Sequence, residues 1–161
     1  MDTMLSRKWK TVDGVRLIDP SHEIREALRG VKVVYLGTDS QQDKQRTHFV
    51  TVIVIHNPGH GGRALYTVES VSRIHSLRER LLREVWMSVQ LALEISPLIE
   101  EESKLEVHVD ANPNTKFRSS KYVKELTSMV VSQGFEAVMK PDAWAAMHVA
   151  DHLVKYKVVG R

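Results

Sequence analysis

Between Val31 and Val71 three strand-like runs follow one another with no helical pattern between them, and from Ser76 onward helical and strand patterns alternate. That order is the strongest constraint on the fold. Consecutive strands joined by short polar or glycine-rich turns pair as an antiparallel meander. Strands separated by helices return in parallel, through right-handed crossovers. In the first run, Val33, Val34, Tyr35 and Leu36 are nearly all apolar, which suits a central strand covered on both faces. The run ends at Asp39, and a polar loop is expected over Gln41–Arg46. Phe49–Ile55 and Ala64–Val71 supply the second and third strands.

The segment Asn57-Pro58-Gly59-His60-Gly61-Gly62 lies between two strands and lacks the strand-to-helix setting of a phosphate loop, so it reads as a hairpin turn. Ser76, with Glu79 three residues on, has capping-box spacing and opens a long helix to about Ile95, which stops before Pro97. Leu105, Val107 and Val109 alternate with Glu106, His108 and Asp110 as a fourth strand. A helix over about 120–132 closes at Gly134, a short strand covers 135–139, and Pro141 opens a last helix through about Lys155. Before all this, Asp19-Pro20-Ser21 starts a short helix that ends at Gly30, and residues 1–18 show no period and read as an arm. The expectation is an α/β chain with a five-stranded mixed sheet, an antiparallel meander of three strands plus two parallel strands, flanked by helices. Residues 1–30 would form an arm and short helix, and 31–161 the domain. This is the element order of the ribonuclease-H-like fold.

Bulk properties narrow the classes. A chain of 161 residues with 42% hydrophobic and 27% charged residues can bury a core without staples. The absence of cysteine excludes disulfides and thiolate metal sites and fits a cytoplasmic location. Neither a signal-peptide stretch nor a run of membrane-spanning length is seen, so no membrane partner is expected. A net charge of +3 and a pI near 9.2 permit a polyanionic partner without demanding one.

Chemistry concentrates in carboxylates. Asp39 ends the first strand among small residues, and Asp110 ends the fourth. In a parallel pairing those two carboxyl ends lie side by side, where ligands sit in open α/β sheets. Two carboxylates there repel unless a cation lies between them. Each alone could equally be a turn aspartate. On the long helix, Glu79 falls on the polar face with Arg83, Gln90 and Glu94. Glu84 shares a stripe with Leu77, Leu81, Ser88, Leu91 and Ile95, where a carboxylate needs a partner; Glu84 is therefore favoured as the helix acid. His148 and Asp151, three apart on the last helix, can point to one spot, as metal ligands do, or form an ordinary surface contact. Of the other histidines, His108 is notable because it shares a strand face with Asp110. Lys116, Arg118, Lys121 and Lys124 form a basic cluster just beyond Asp110, suited either to a phosphate backbone or to a solvated helix start.

At these residues the chain resembles the YkuK-like family of ribonuclease-H-like proteins. The resemblance rests on Gly37-Thr38-Asp39-Ser40-Gln41, on Val109-Asp110 with its Asn/Lys/Arg-rich loop, and on Lys121-Tyr122-Val123-Lys124-Glu125. It continues through Lys140-Pro141-Asp142-Ala143-Trp144-Ala145-Ala146 to Val149-Ala150-Asp151, spanning about residues 33–155. It implies the ribonuclease-H-like fold, whose nucleases use clustered acids and divalent metal. Asp39, Glu84, Asp110 and Asp151 would match the first-strand, first-helix, fourth-strand and last-helix acids. The pair His148 and Asp151 looks like the closing ligands of Holliday-junction resolvases in that superfamily. The resulting expectation is a nuclease cleaving DNA or RNA with two Mg²⁺ or Mn²⁺ ions about 3.5–4 Å apart. A homodimer is compatible with it. The competing expectation is a non-catalytic nucleic-acid-binding or assembly module, or a structural partner in a larger complex held through the arm.

Overall fold

The computed structural model describes residues 2–57, 59, 61–140 and 148–149. In chain order the elements are β1 (Trp9–Thr11), α1 (Pro20–Ala27), β2 (Val33–Gln42), β3 (Arg46–Asn57) and β4 (Gly61–Ser72). They continue with α2 (Leu77–Ile95), β5 (Lys104–Val109), α3 (Val123–Val131) and β6 (Glu136–Met139). The expected last helix, and Asp151 with it, lies outside the described residues apart from His148 and Val149.

One sheet holds all six of these strands in the order β1-β4-β3-β2-β5-β6. The meander β2–β3–β4 is antiparallel, and β2–β5 and β5–β6 are parallel, as the alternation of helices and strands predicts. The strand count differs from five. The sixth is β1, which comes from the segment expected as an arm and pairs antiparallel with β4, Trp9 opposite Thr67. Three residues are too few to show a period, and their burial comes from partners far away in sequence. The Trp9 ring is fully buried and its Nε1 donates to the Met4 carbonyl at 2.8 Å. The amides of Met4 and Leu5 in turn donate to the two carboxylate oxygens of Glu94 on α2, at 2.8 and 3.0 Å.

A second difference concerns the expected loop after Asp39. β2 runs on to Gln42, paired with β3 along its whole length. The turn shrinks to the residues around Asp43, whose Oδ1 accepts from the Gln45 and Arg46 amides at 2.9 and 2.7 Å. Gln41 and Gln42 belong to the strand because β2 keeps its pairing with β3 there, Gln41 opposite His48 and Gln42 opposite Thr47. The glycine-rich run between β3 and β4 does close a hairpin, with Gly59 and Gly61 at φ +84° and +86°, a conformation that disfavours any side chain. The expected helix over 120–132 opens with a tight 3₁₀ turn, Arg118–Tyr122, before α3 begins.

α2 is capped as its sequence predicts: the Ser76 hydroxyl accepts from the Glu79 amide. Its inner face, including Leu81, Val85, Val89, Leu91 and Ile95, packs with Leu36 and Val107 of the sheet and with Leu126 and Val130 of α3. On the opposite face of the sheet Val50, Val52 and Tyr66 form a smaller apolar cluster against which Val149 packs. The candidate site residues gather at the end of the sheet where β2 and β5 part. Among the described residues no helix is long and apolar enough to cross a membrane.

Candidate metal centre

The parallel register of β2 with β5 ends at Gly37 opposite His108. Two residues further along the chain stand Asp39, still within β2, and Asp110, just past the end of β5. β2 continues beside β3, whereas β5 stops at Val109 and the chain turns, the Ala111 amide donating to the Val109 carbonyl at 2.9 Å. The two aspartates therefore face one another across the split. α2 crosses the sheet at this end and delivers Glu84, which is buried. Asp39, Glu84 and Asp110 each offer an oxygen, and the three oxygens lie within 4.8 Å of one another. They line a cavity of about 420 Å³ with Ser40, Leu77, Arg80, Leu81, Phe117, Arg118 and Lys140 among its walls.

A family profile described as ribonuclease H-like matches residues 21–155. The chain belongs to the ribonuclease H-like family. Among its relatives is the uncharacterised protein YkuK of Bacillus subtilis (strain 168), 30% identical over 145 residues, which span 82% of this chain and 84% of that protein. The ribonuclease H-like match begins at residue 21, so β1 lies outside the matched residues.

The polar contacts around the acids fit a hard cation better than they fit the acids alone. Asp39 Oδ1 accepts from the Ser40 amide at 2.8 Å. Asp110 Oδ1 meets Lys140 Nζ at 2.5 Å. Glu84 Oε2 accepts from the Ser40 hydroxyl, but Glu84 Oε1 is buried with no hydrogen-bond partner. An unpartnered buried carboxylate oxygen is costly, and a cation shared with Asp39 and Asp110 would satisfy it. Oxygen-only donors of this kind suit Mg²⁺ or Mn²⁺. Burial pushes the Glu84 carboxyl well above the ordinary glutamate range, and the charges of Asp39 and then Asp110 push it the same way. The Ser40 hydrogen bond and Arg80 pull against them.

The sign of the pH effect follows. An acid whose folded pKa exceeds its unfolded value holds more protons folded than unfolded. Stability therefore falls as pH rises from about the unfolded value toward the folded one. Glu84→Gln removes that penalty. In EDTA at neutral pH the variant is expected to melt higher than the parent, on the order of 2–4 °C for each kcal/mol relieved, and to lose part of the parent's decline in stability between acid and neutral pH. Added Mn²⁺ should then raise the parent's melting temperature more than the variant's. Thermal melts across pH check this; a variant that melts lower than the parent in EDTA at neutral pH would contradict it.

The other residues singled out in the sequence divide. Glu79, the alternative helix acid, is exposed at the start of α2. Of the basic cluster, Arg118 lines the cavity; Lys116, Lys121 and Lys124 are exposed outside its lining. Lys116 Nζ lies 5.5 Å over the Phe117 ring and Lys121 Nζ 5.7 Å over the Tyr122 ring. His108 is not among the residues that line the cavity; it is buried 3.0 Å from Glu106 Oε1 and against the Tyr35 ring, and burial lowers its pKa, with Glu106 opposing. His148 is exposed, and Asp151 lies outside the described residues. Ser40, Arg80, Phe117 and Lys140 are site residues that sequence reasoning passed over. Arg80 carried a usable signal, standing one helical turn before Glu84. Lys140 did not, because only the pairing of β6 beside β5 brings it to Asp110.

Proposed function

We propose that this chain is a metal-dependent nuclease that hydrolyses phosphodiester bonds of a nucleic acid. The observation that carries the reading is the convergence of Asp39, Glu84 and Asp110 around an unpartnered buried carboxylate oxygen, at the sheet end where ligands of open α/β folds bind. In this reading Asp39, Glu84 and Asp110 would hold two Mg²⁺ or Mn²⁺ ions, and His148 and Asp151 would be the further ligands. Bound metal would supply Lewis-acid activation of water and of the departing oxygen. The protein's own part is to orient and to balance charge. Ser40 fixes both Asp39 and Glu84, through its amide and its hydroxyl respectively. Lys140 offsets the charge of Asp110, and Arg80 and Arg118 line the cavity as positive groups toward a phosphate.

One contact favours a second reading, a non-catalytic nucleic-acid-binding or assembly module. Lys140 Nζ, 2.5 Å from Asp110, already neutralises part of the acidic charge that a metal would otherwise balance. Incubating purified protein with labelled single-stranded and duplex DNA and RNA, in Mg²⁺, in Mn²⁺ and in EDTA, separates the two. Cleavage that needs the metal supports the nuclease. Binding without cleavage in either metal would favour the module.

A further inference from the structure

We infer that the cavity takes an unpaired nucleotide, with its base seated on the Phe117 ring, and hence that the substrate is single-stranded or frayed at the point of cleavage. The inference rests on the nuclease reading and adds the class of substrate.

The cavity lining mixes two chemistries: the acids Asp39, Glu84 and Asp110, and the apolar side chains of Leu77, Leu81 and Phe117. A site for a phosphate alone needs no apolar lining. At about 420 Å³ the space is of the size that holds small organic ligands rather than an ion alone. Phe117 is 44% exposed, a large aromatic surface left in water beside a cluster of charge. Its backbone is held at both ends of the loop. The Phe117 amide donates to the Asn114 carbonyl at 3.0 Å, and the Ser120 amide donates to the Phe117 carbonyl at 3.2 Å. Asn112 and Asn114 side chains brace the approach, accepting from the Asn114 and Lys116 amides at 2.9 and 3.1 Å.

Cations flank the aromatic in sequence. Lys116 Nζ sits 5.5 Å over its ring, and Arg118, the next residue in the chain, is among the residues that line the cavity. An exposed aromatic with positive side chains close to it in the chain suits a single strand, since a base stacks on a ring face while the cations meet the phosphates. In an intact duplex both faces of a base are already stacked on its neighbours. A base can reach Phe117 beside the acids only if it is unpaired, or if it is flipped out at the cost of unstacking.

The test compares the parent protein with Phe117→Ala and Phe117→Trp, all checked for unchanged folding by circular dichroism. The probes are short labelled single-stranded DNA and RNA oligonucleotides, the matching duplexes, and single strands carrying one abasic position. Affinity is read by fluorescence anisotropy with Ca²⁺ in place of Mg²⁺ or Mn²⁺. Phe117→Ala is expected to weaken single-strand binding about 5- to 150-fold, the range found when a stacking aromatic is removed. Phe117→Trp should hold it near the parent value, and duplex binding should be weaker in the parent and hardly altered by either substitution. An abasic position should cost the parent a similar factor and cost Phe117→Ala nothing further, because the ring and the base are then two halves of one contact. Equal losses on single strands and duplexes, or losses from ring and base that simply add, would overturn the inference while leaving the nuclease reading in place. Failure of the parent protein to bind any of these nucleic acids would overturn the nuclease reading itself.

Discussion

Asp39→Asn is expected to lower metal-dependent cleavage by at least about 100-fold, the equivalent of about 3 kcal/mol of transition-state stabilisation, while the fold stays intact. The substitution preserves volume, and the asparagine Oδ1 can still accept from the Ser40 amide as the aspartate does at 2.8 Å. What is lost is one negative charge from a group of three acids whose oxygens lie within 4.8 Å. Cation affinity depends on that charge, so calorimetry should show weaker Mn²⁺ binding. The same charge is among the causes that hold the Glu84 carboxyl above its ordinary range, second only to burial. Its removal should therefore leave the metal-free protein at least as stable as the parent at neutral pH. Loss of activity with a higher or equal melting temperature in EDTA separates a ligand from a structural residue. Near-parental cleavage by Asp39→Asn, under conditions where EDTA stops the reaction, would remove Asp39 from the proposed role.

The acids were legible in the sequence because each breaks a pattern that physics enforces. Glu84 interrupts an apolar helical stripe, and the structure buries it where that stripe meets the sheet. Asp39 lies in β2 and Asp110 just past β5, strands whose parallel pairing the intervening helix dictates, and each stands two residues beyond the last paired position, Gly37 opposite His108. The companions of the acids were harder to see. Ser40 falls between the expected strand end at Asp39 and the expected loop from Gln41, and only the observed length of β2, set by pairing with β3, places it in the strand. The basic cluster is contiguous in sequence, yet a cavity selects by position in space. It takes Arg118 from the cluster, adds Arg80 and Lys140 from two other elements, and leaves Lys116, Lys121 and Lys124 outside its lining. Glu94 shows the same limit. Its place on the polar face of α2 suggests a solvated residue, and periodicity cannot show that its carboxylate is filled by two amides from the start of the chain.

That contact leads to the largest expected effect on stability, at Trp9. The ring is fully buried, and its indole N–H is satisfied by the Met4 carbonyl. The backbone of Trp9 is tied twice more, into β4 opposite Thr67 and through its carbonyl to the Leu17 amide at 2.9 Å. Trp9→Ala would open a cavity where the largest side chain of this segment now sits, and would leave the Met4 carbonyl with only the longer bond from the Arg7 amide, at 3.3 Å. Truncations of buried aromatics cost about 3–5 kcal/mol, a large share of the roughly 5–15 kcal/mol that holds a domain together. For a chain of this size the melting temperature should fall by about 6–20 °C. The acids should be little affected in the molecules that remain folded, because β1 is separated from β2 by both β4 and β3. Denaturant melts, with Mn²⁺ calorimetry well below the new midpoint, measure the two consequences separately. A loss of less than about 1 kcal/mol would mean that the segment before residue 21 rests on the sheet as an appendage. The expected loss, with Mn²⁺ affinity unchanged, would make β1 a structural part of a fold whose family-matched residues begin after it.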